Sequence, residues 1–86
     1  MDQRRHQIKR LHFRAWHRGT QEMDLLMGRF ADSVLEILTD EQLGRFEVLL
    51  EAPDPDLYAW ILRQRPVPEA QANDLTEMML RFHKYE

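Results

Sequence analysis

The chain has 86 residues, 43% hydrophobic and 31% charged, with a net charge of −3 and no cysteine. That length points to a single domain over 1–86 with one thin core, and the composition to a chain that folds. The lack of cysteine excludes disulfides, thiolate metal sites and cysteine nucleophiles, and fits a reducing, cytoplasmic setting.

No stretch reaches the roughly eighteen apolar residues of a membrane span, so no membrane contact is expected. The arginine-rich start resembles a transit peptide, but the motifs begin almost at once and leave little to cleave. Charge is uneven. Residues 1–18 carry six basic side chains (Arg4, Arg5, Lys9, Arg10, Arg14, Arg18) against the single acid Asp2, while the rest carries six against fourteen acids. A basic end on an acidic body suits an anionic partner; its plainer reading is a solvated helix partly neutralised by the chain's own acids.

In chain order, helix 1 is expected from about Gln3 to His17, with Ile8, Leu11 and Ala15 as its apolar stripe and Phe13 and Trp16 on its flank. Gly19 ends it. Helix 2 starts near Glu22 and buries Met23, Leu26, Met27, Phe30 and Val34, with Glu22 and Asp24 complementing the helix dipole. Helix 3 follows a capping box, Thr39 to Gln42, with Leu38 and Leu43 as a staple. Helix 4 is expected to take Asp54 as N-cap and Pro55 as its first residue, and to stop before Pro66. Pro68 is placed at the opening of helix 5, whose inner face holds Ala72, Leu75, Met79 and Phe82. No segment alternates as a strand does. The expected fold is all-α, a compact five-helix bundle.

Catalytic chemistry is not apparent. His6, His12, His17 and His83 include no i, i+4 pair, and without cysteine no zinc pattern remains. The single serine, Ser33, sits in a helical pattern, and Gly19, Gly28 and Gly44 are too scattered to cradle phosphate. No catalytic, cofactor-binding or metal-binding residue is assigned. Two features stand out. One is Arg18-Gly19-x-x-Glu22 at the hairpin turn, where an arginine fork could take a carboxylate and a glycine could admit another backbone. Its structural alternative is a glycine helix stop beside an acid that suits a dipole. The other is Phe13 and Trp16 on the basic flank, candidates for an interface, whereas Tyr58 and Trp60 suit burial equally well.

These residues also carry a resemblance. The run from Phe13 to Leu26, with Arg18-Gly19 and Glu22 within it, resembles the signature of the succinate dehydrogenase assembly factor family. Phe30-Ala31, Leu38-Thr39, Phe46-Glu47, Leu49-Leu50-Glu51 and the block Asp54-Pro55-Asp56-Leu57-Tyr58-Ala59-Trp60 continue it, over about residues 4–66. His17 departs from it, since many members carry a second arginine there. The resemblance implies a monomeric five-helix protein that needs no free FAD. It implies binding to the flavoprotein subunit of succinate dehydrogenase, or of fumarate reductase, and help in joining the isoalloxazine methyl group to a histidine of that partner. It implies Arg18, Gly19 and Glu22 as the contact motif, Arg14 and Trp16 as neighbours, and Asp54, Asp56 and Tyr58 as support. Phe13 joins the contact set on its aromatic character. The alternatives are an antitoxin-like interaction module and a nucleic-acid binder using the basic first helix. A small enzyme would need a nucleophile, metal set or cavity that the sequence does not offer.

Overall fold

The computed structural model describes residues 2–84; Tyr85 and Glu86, read from the sequence as the tail, lie outside them. Five helices are present among the described residues: α1 (Gln3–Trp16), α2 (Gln21–Val34), α3 (Asp40–Leu49), α4 (Asp54–Ile61) and α5 (Asp74–Lys84). The fold is the expected all-α, five-helix bundle.

Each start has a local cause. Asp2 accepts the backbone N–H of Arg5 at 3.2 Å and caps α1. Thr20 caps α2 by accepting from Met23 N–H at 3.2 Å, one residue ahead of the expected start. The Thr39–Gln42 capping box forms as expected, with reciprocal bonds of 3.0 and 3.1 Å. Helix α4 departs from expectation: Pro53 is the N-cap, Asp54 is the first helical residue, and no side chain caps the helix. The reason is tertiary, because the Asp54 carboxylate is turned towards Arg18. Beyond its last residue, α4 closes in a Schellman arrangement. Arg63 stands at φ 59°, with Arg63 N–H on Trp60 O at 3.0 Å and Gln64 N–H on Ala59 O at 2.8 Å.

Helix α5 begins six residues after Pro68, not at it. Residues 68–72 make one isolated turn, in which Gln71 and Ala72 N–H both reach Pro68 O at 2.9 Å. Asn73 then intervenes. Its side-chain oxygen accepts from Thr76 N–H and its own N–H reaches the Thr76 hydroxyl, both at 2.9 Å. That reciprocal cap fixes a fresh helix start, and side chains of this kind compete with a continuing helix.

The core runs along α2. Met27, Phe30, Ala31 and Val34 are buried against Ile8, Leu11 and Ala15 of α1, Leu43 and Phe46 of α3, and Leu75 and Met79 of α5. Phe30 stacks on Phe46 at a centroid distance of 5.7 Å and meets Phe82 at the same distance, tilted by 51°. Helices α1 and α2 close up at Gly28, where the Trp16 indole lies directly on the glycine. Trp60, open to either reading in the sequence, is buried.

Candidate functional site

The α1–α2 corner comprises His17, Arg18, Gly19 and Thr20, between a helix that ends at Trp16 and one that begins at Gln21. Arg18 fixes it from both ends. Its backbone N–H donates to Asp24 Oδ1 at 2.5 Å, a second duty for an acid read from the sequence as a dipole residue. Its side chain crosses to the α3–α4 corner. Nε and Nη2 converge on Asp54 Oδ1 at 2.8 Å. Nη1 donates to Leu50 O at 2.6 Å and Nη2 to Ala52 O at 2.8 Å. The fork thus satisfies two carbonyls just past the end of α3 and one carboxylate at the start of α4. Only 11% of the Arg18 side chain is exposed. The expectation that Arg18 faces outward to take a partner carboxylate is corrected by this geometry: the guanidinium already holds its acceptors inside the molecule.

The rest of the motif faces the other way. Gly19 is exposed at φ +117°, a conformation side chains rarely adopt, and a Cβ there would meet nothing within 4 Å. Glu22, in the first turn of α2, is exposed. The charge of its carboxylate first, and then burial, raise the pKa of the half-buried Tyr58 above its ordinary value near 10. The motif read as one unit in the sequence is therefore divided, with the arginine inside and the glycine and carboxylate outside.

The aromatic pair divides as well. Phe13 is 61% exposed and stacks on His17 with centroids 3.9 Å apart. Phe13, Arg14, His17 and Arg18 line a shallow depression of about 220 Å³ beside the corner. Trp16 turns inward onto Gly28, and its Nε1–H reaches Asp32 Oδ1 at 3.2 Å, an oxygen that His12 Nε2 also meets at 2.7 Å. Arg14 stands 4.0 Å from Glu47.

The same pattern governs the basic segment. Arg4 pairs with Asp40 and donates to Leu38 O, Arg5 pairs with Glu36, Arg14 with Glu47 and Arg18 with Asp54. Four of the six cations are engaged by acids from later in the chain, which removes the main support for a nucleic-acid reading. Among the described residues no group of His, Asp or Glu side chains is placed to hold a metal ion, and no helix is long and apolar enough to cross a membrane.

A family model described as the flavinator of succinate dehydrogenase matches residues 9–83. The chain belongs to this family. It is 42% identical to the FAD assembly factor SdhE of Acetobacter pasteurianus, over 84% of this chain and 66% of that protein. It is 38% identical to the mitochondrial succinate dehydrogenase assembly factor 2 of Dictyostelium discoideum, over 83% of this chain and 50% of that protein. The FAD assembly factor SdhE of Shewanella oneidensis is 39% identical over 66% of this chain and 70% of its own length. The shared stretch is thus between half and two thirds of the first two relatives. No solved structure matches the chain. The family match runs through α5, beyond the residues 4–66 that carry the motifs. Two contributors to the site, Asp24 and Gly28, had no role in the sequence beyond a helix dipole and an isolated glycine. Asp54 was legible as a helix start and as part of the second block; its pairing with a residue 36 positions away was not.

Proposed function

We propose that this chain is an assembly factor for the flavoprotein subunit of succinate dehydrogenase, and of fumarate reductase. On this reading it docks on that subunit and promotes covalent attachment of FAD to one of its histidines, acting as a cytoplasmic monomer and not as an enzyme. The observation that carries the reading is the outward Gly19–Glu22 edge on a corner that Arg18 fixes from within. Gly19 presents bare backbone to a narrow groove, Glu22 offers a carboxylate, and Phe13 supplies an exposed aromatic anchor one helix turn away, with Arg14 beside it. Arg18 and Trp16 serve the same site by holding it rather than by touching the partner.

Flavin and acceptor histidine both belong to the partner, so the chain contributes no atom to the new bond. Its contribution is to hold the partner's flavin-binding parts in the reactive arrangement, turning docking energy into proximity. A rigid edge suits this role, since an ordered edge loses little freedom on docking.

The test uses the purified flavoprotein subunit with FAD, followed by in-gel fluorescence of the denatured protein. The wild-type chain should raise covalent flavin. Glu22→Ala should depress that signal several-fold at equal concentration with helicity unchanged, and Gly19→Trp should abolish capture of the subunit. Covalent flavin that is the same with and without the wild-type chain would refute the proposal.

A further inference from the structure

The six cations of residues 1–18 do not share one fate. Arg4 is held by Asp40 at 2.9 Å, Arg5 by Glu36 at 3.0 Å, Arg14 by Glu47 at 4.0 Å and Arg18 by Asp54 at 2.8 Å. Lys9 and Arg10 are exposed, and neither has a hydrogen bond or ion pair among the described residues. The acids near them are already occupied. Lys9 rims a depression with Asp32 and Glu36, which are held by His12 at 2.7 Å and by Arg5. Arg10 rims another with Asp40, which is held by Arg4. Helix α1 itself carries no acid from Gln3 to Trp16.

The same face carries the exposed aromatic ring. Phe13 follows Arg10 by three residues and Lys9 by four, so the three neighbour one another on the helix surface. That surface is turned away from the buried stripe of Ile8, Leu11 and Ala15. It continues through the Phe13–His17 stack to the depression that Phe13, Arg14, His17 and Arg18 line beside the corner.

We propose that Lys9 and Arg10 form an electrostatic docking strip on the outer face of α1 that receives an acidic surface of the flavoprotein subunit. The inference rests on the docking reading above and names the chemistry of the partner's surface.

The whole chain has a net charge of −3, so an acidic partner repels it on average and attracts it through this face. The four paired arginines add little to that attraction, since each is offset by a carboxylate within 4.0 Å. The asymmetry orients the encounter: approach with α1 foremost is favoured, and it brings Phe13 and the corner to the partner together. Nucleic acid is a poorer occupant. Two unpaired cations neutralise about two phosphates, well short of the roughly 6–10 contacts of a protein that grips duplex DNA.

Two variants of the full chain test this against the purified flavoprotein subunit with FAD. The first, Lys9→Gln with Arg10→Gln, removes the two charges; the second, Lys9→Glu with Arg10→Glu, reverses them. Both exchange exposed side chains and should melt with the wild-type chain. At about 50 mM salt the reversed chain should need on the order of tenfold more protein for half-maximal covalent flavin, and the neutral chain an intermediate excess. At about 1 M salt, where the screening length falls to about 3 Å, the three chains should converge. A reversed chain that matches wild type at low salt, or a deficit that survives at high salt, would overturn the inference while leaving the docking reading intact. Duplex DNA and vesicles of anionic lipid stand as rival occupants. Tight binding of the wild-type chain to either at physiological salt, lost on reversal while flavinylation is not, would overturn it as well. If the wild-type chain fails to promote covalent flavin at every salt concentration, the docking reading falls and the strip falls with it.

Discussion

Trp16 and Phe13 are three residues apart, equally aromatic and equally off the apolar stripe of α1, yet one is covered and the other is not. The difference is made on α2. Gly28 leaves a gap in the helix surface, and the Trp16 indole fills it. Alanine is a better helix residue than glycine by up to about 1 kcal/mol, so two substitutions that are alike in sequence should have opposite signs. At Gly44 a Cβ meets nothing within 4 Å, and Gly44→Ala should stabilise the protein by about 0.5–1 kcal/mol. At Gly28 the new Cβ overlaps the indole ring, and Gly28→Ala should destabilise by about 1–3 kcal/mol after the ring has shifted. Urea unfolding of both variants checks the pair. The sequence marks each glycine as isolated within a helical pattern, but the atom that lies over it belongs to another helix.

At the scale of the element, starts were read well where the cap is local and poorly where a cap competes with something distant. Thr39 and Gln42 close on each other within three residues, so the α3 start could be read directly. Pro68 suits a first helical turn and does make one turn, but Asn73 and Thr76 form a stronger start five to eight residues later. The first residue of α5, Asp74, then ties that helix to α3. Gln42 Nε2 donates to Asp74 Oδ2 at 3.0 Å, and Arg45 Nη1 donates to Asp74 Oδ1 at 2.9 Å. The Gln42 hydrogen bond first, and then the Arg45 charge, lower the Asp74 pKa below the ordinary carboxylate value. A folded-state pKa below the unfolded one contributes stability that is complete above the unfolded value, near 4, and is lost as pH falls through the folded value. The thermal midpoint should therefore fall below about pH 4 as α5 loosens from α3. Asp74→Asn should lower the midpoint at neutral pH and flatten that acid limb, as circular dichroism melts across the range would show.

Over the whole molecule, the decisive contacts join segments far apart in the chain. Arg18 reaches residues 50, 52 and 54 with one planar fork, and so joins the α1–α2 corner to the α3–α4 corner. Arg18→Ala would leave two carbonyls and a largely covered carboxylate without those donors, and should cost about 2–4 kcal/mol in chemical denaturation. Arg18→Lys should recover only part of this, since a single ammonium cannot span the same three acceptors. Flavinylation should decline in parallel with stability for both variants, unlike Glu22→Ala, which should lose activity at full stability. The basic start and acidic body are reconciled at this scale too. Asp40, Glu36, Glu47 and Asp54 come from later in the chain and engage Arg4, Arg5, Arg14 and Arg18, so much of the charge asymmetry is neutralised internally.

The sequence by itself determined the five helices, the inward stripe of each apart from Ala72, which lies ahead of α5 and is exposed, the capping box at Thr39 and the family. All of these are written in spacings of a few residues, because a helix closes its hydrogen bonds and aligns its faces within one or two turns. It also singled out Arg18, Gly19 and Glu22 together. Only the tertiary structure decided which of the three looks inward. That depends on whether an acceptor from another element lies within reach of a side chain: Asp54 does for the guanidinium, whereas the Glu22 carboxylate remains exposed to solvent.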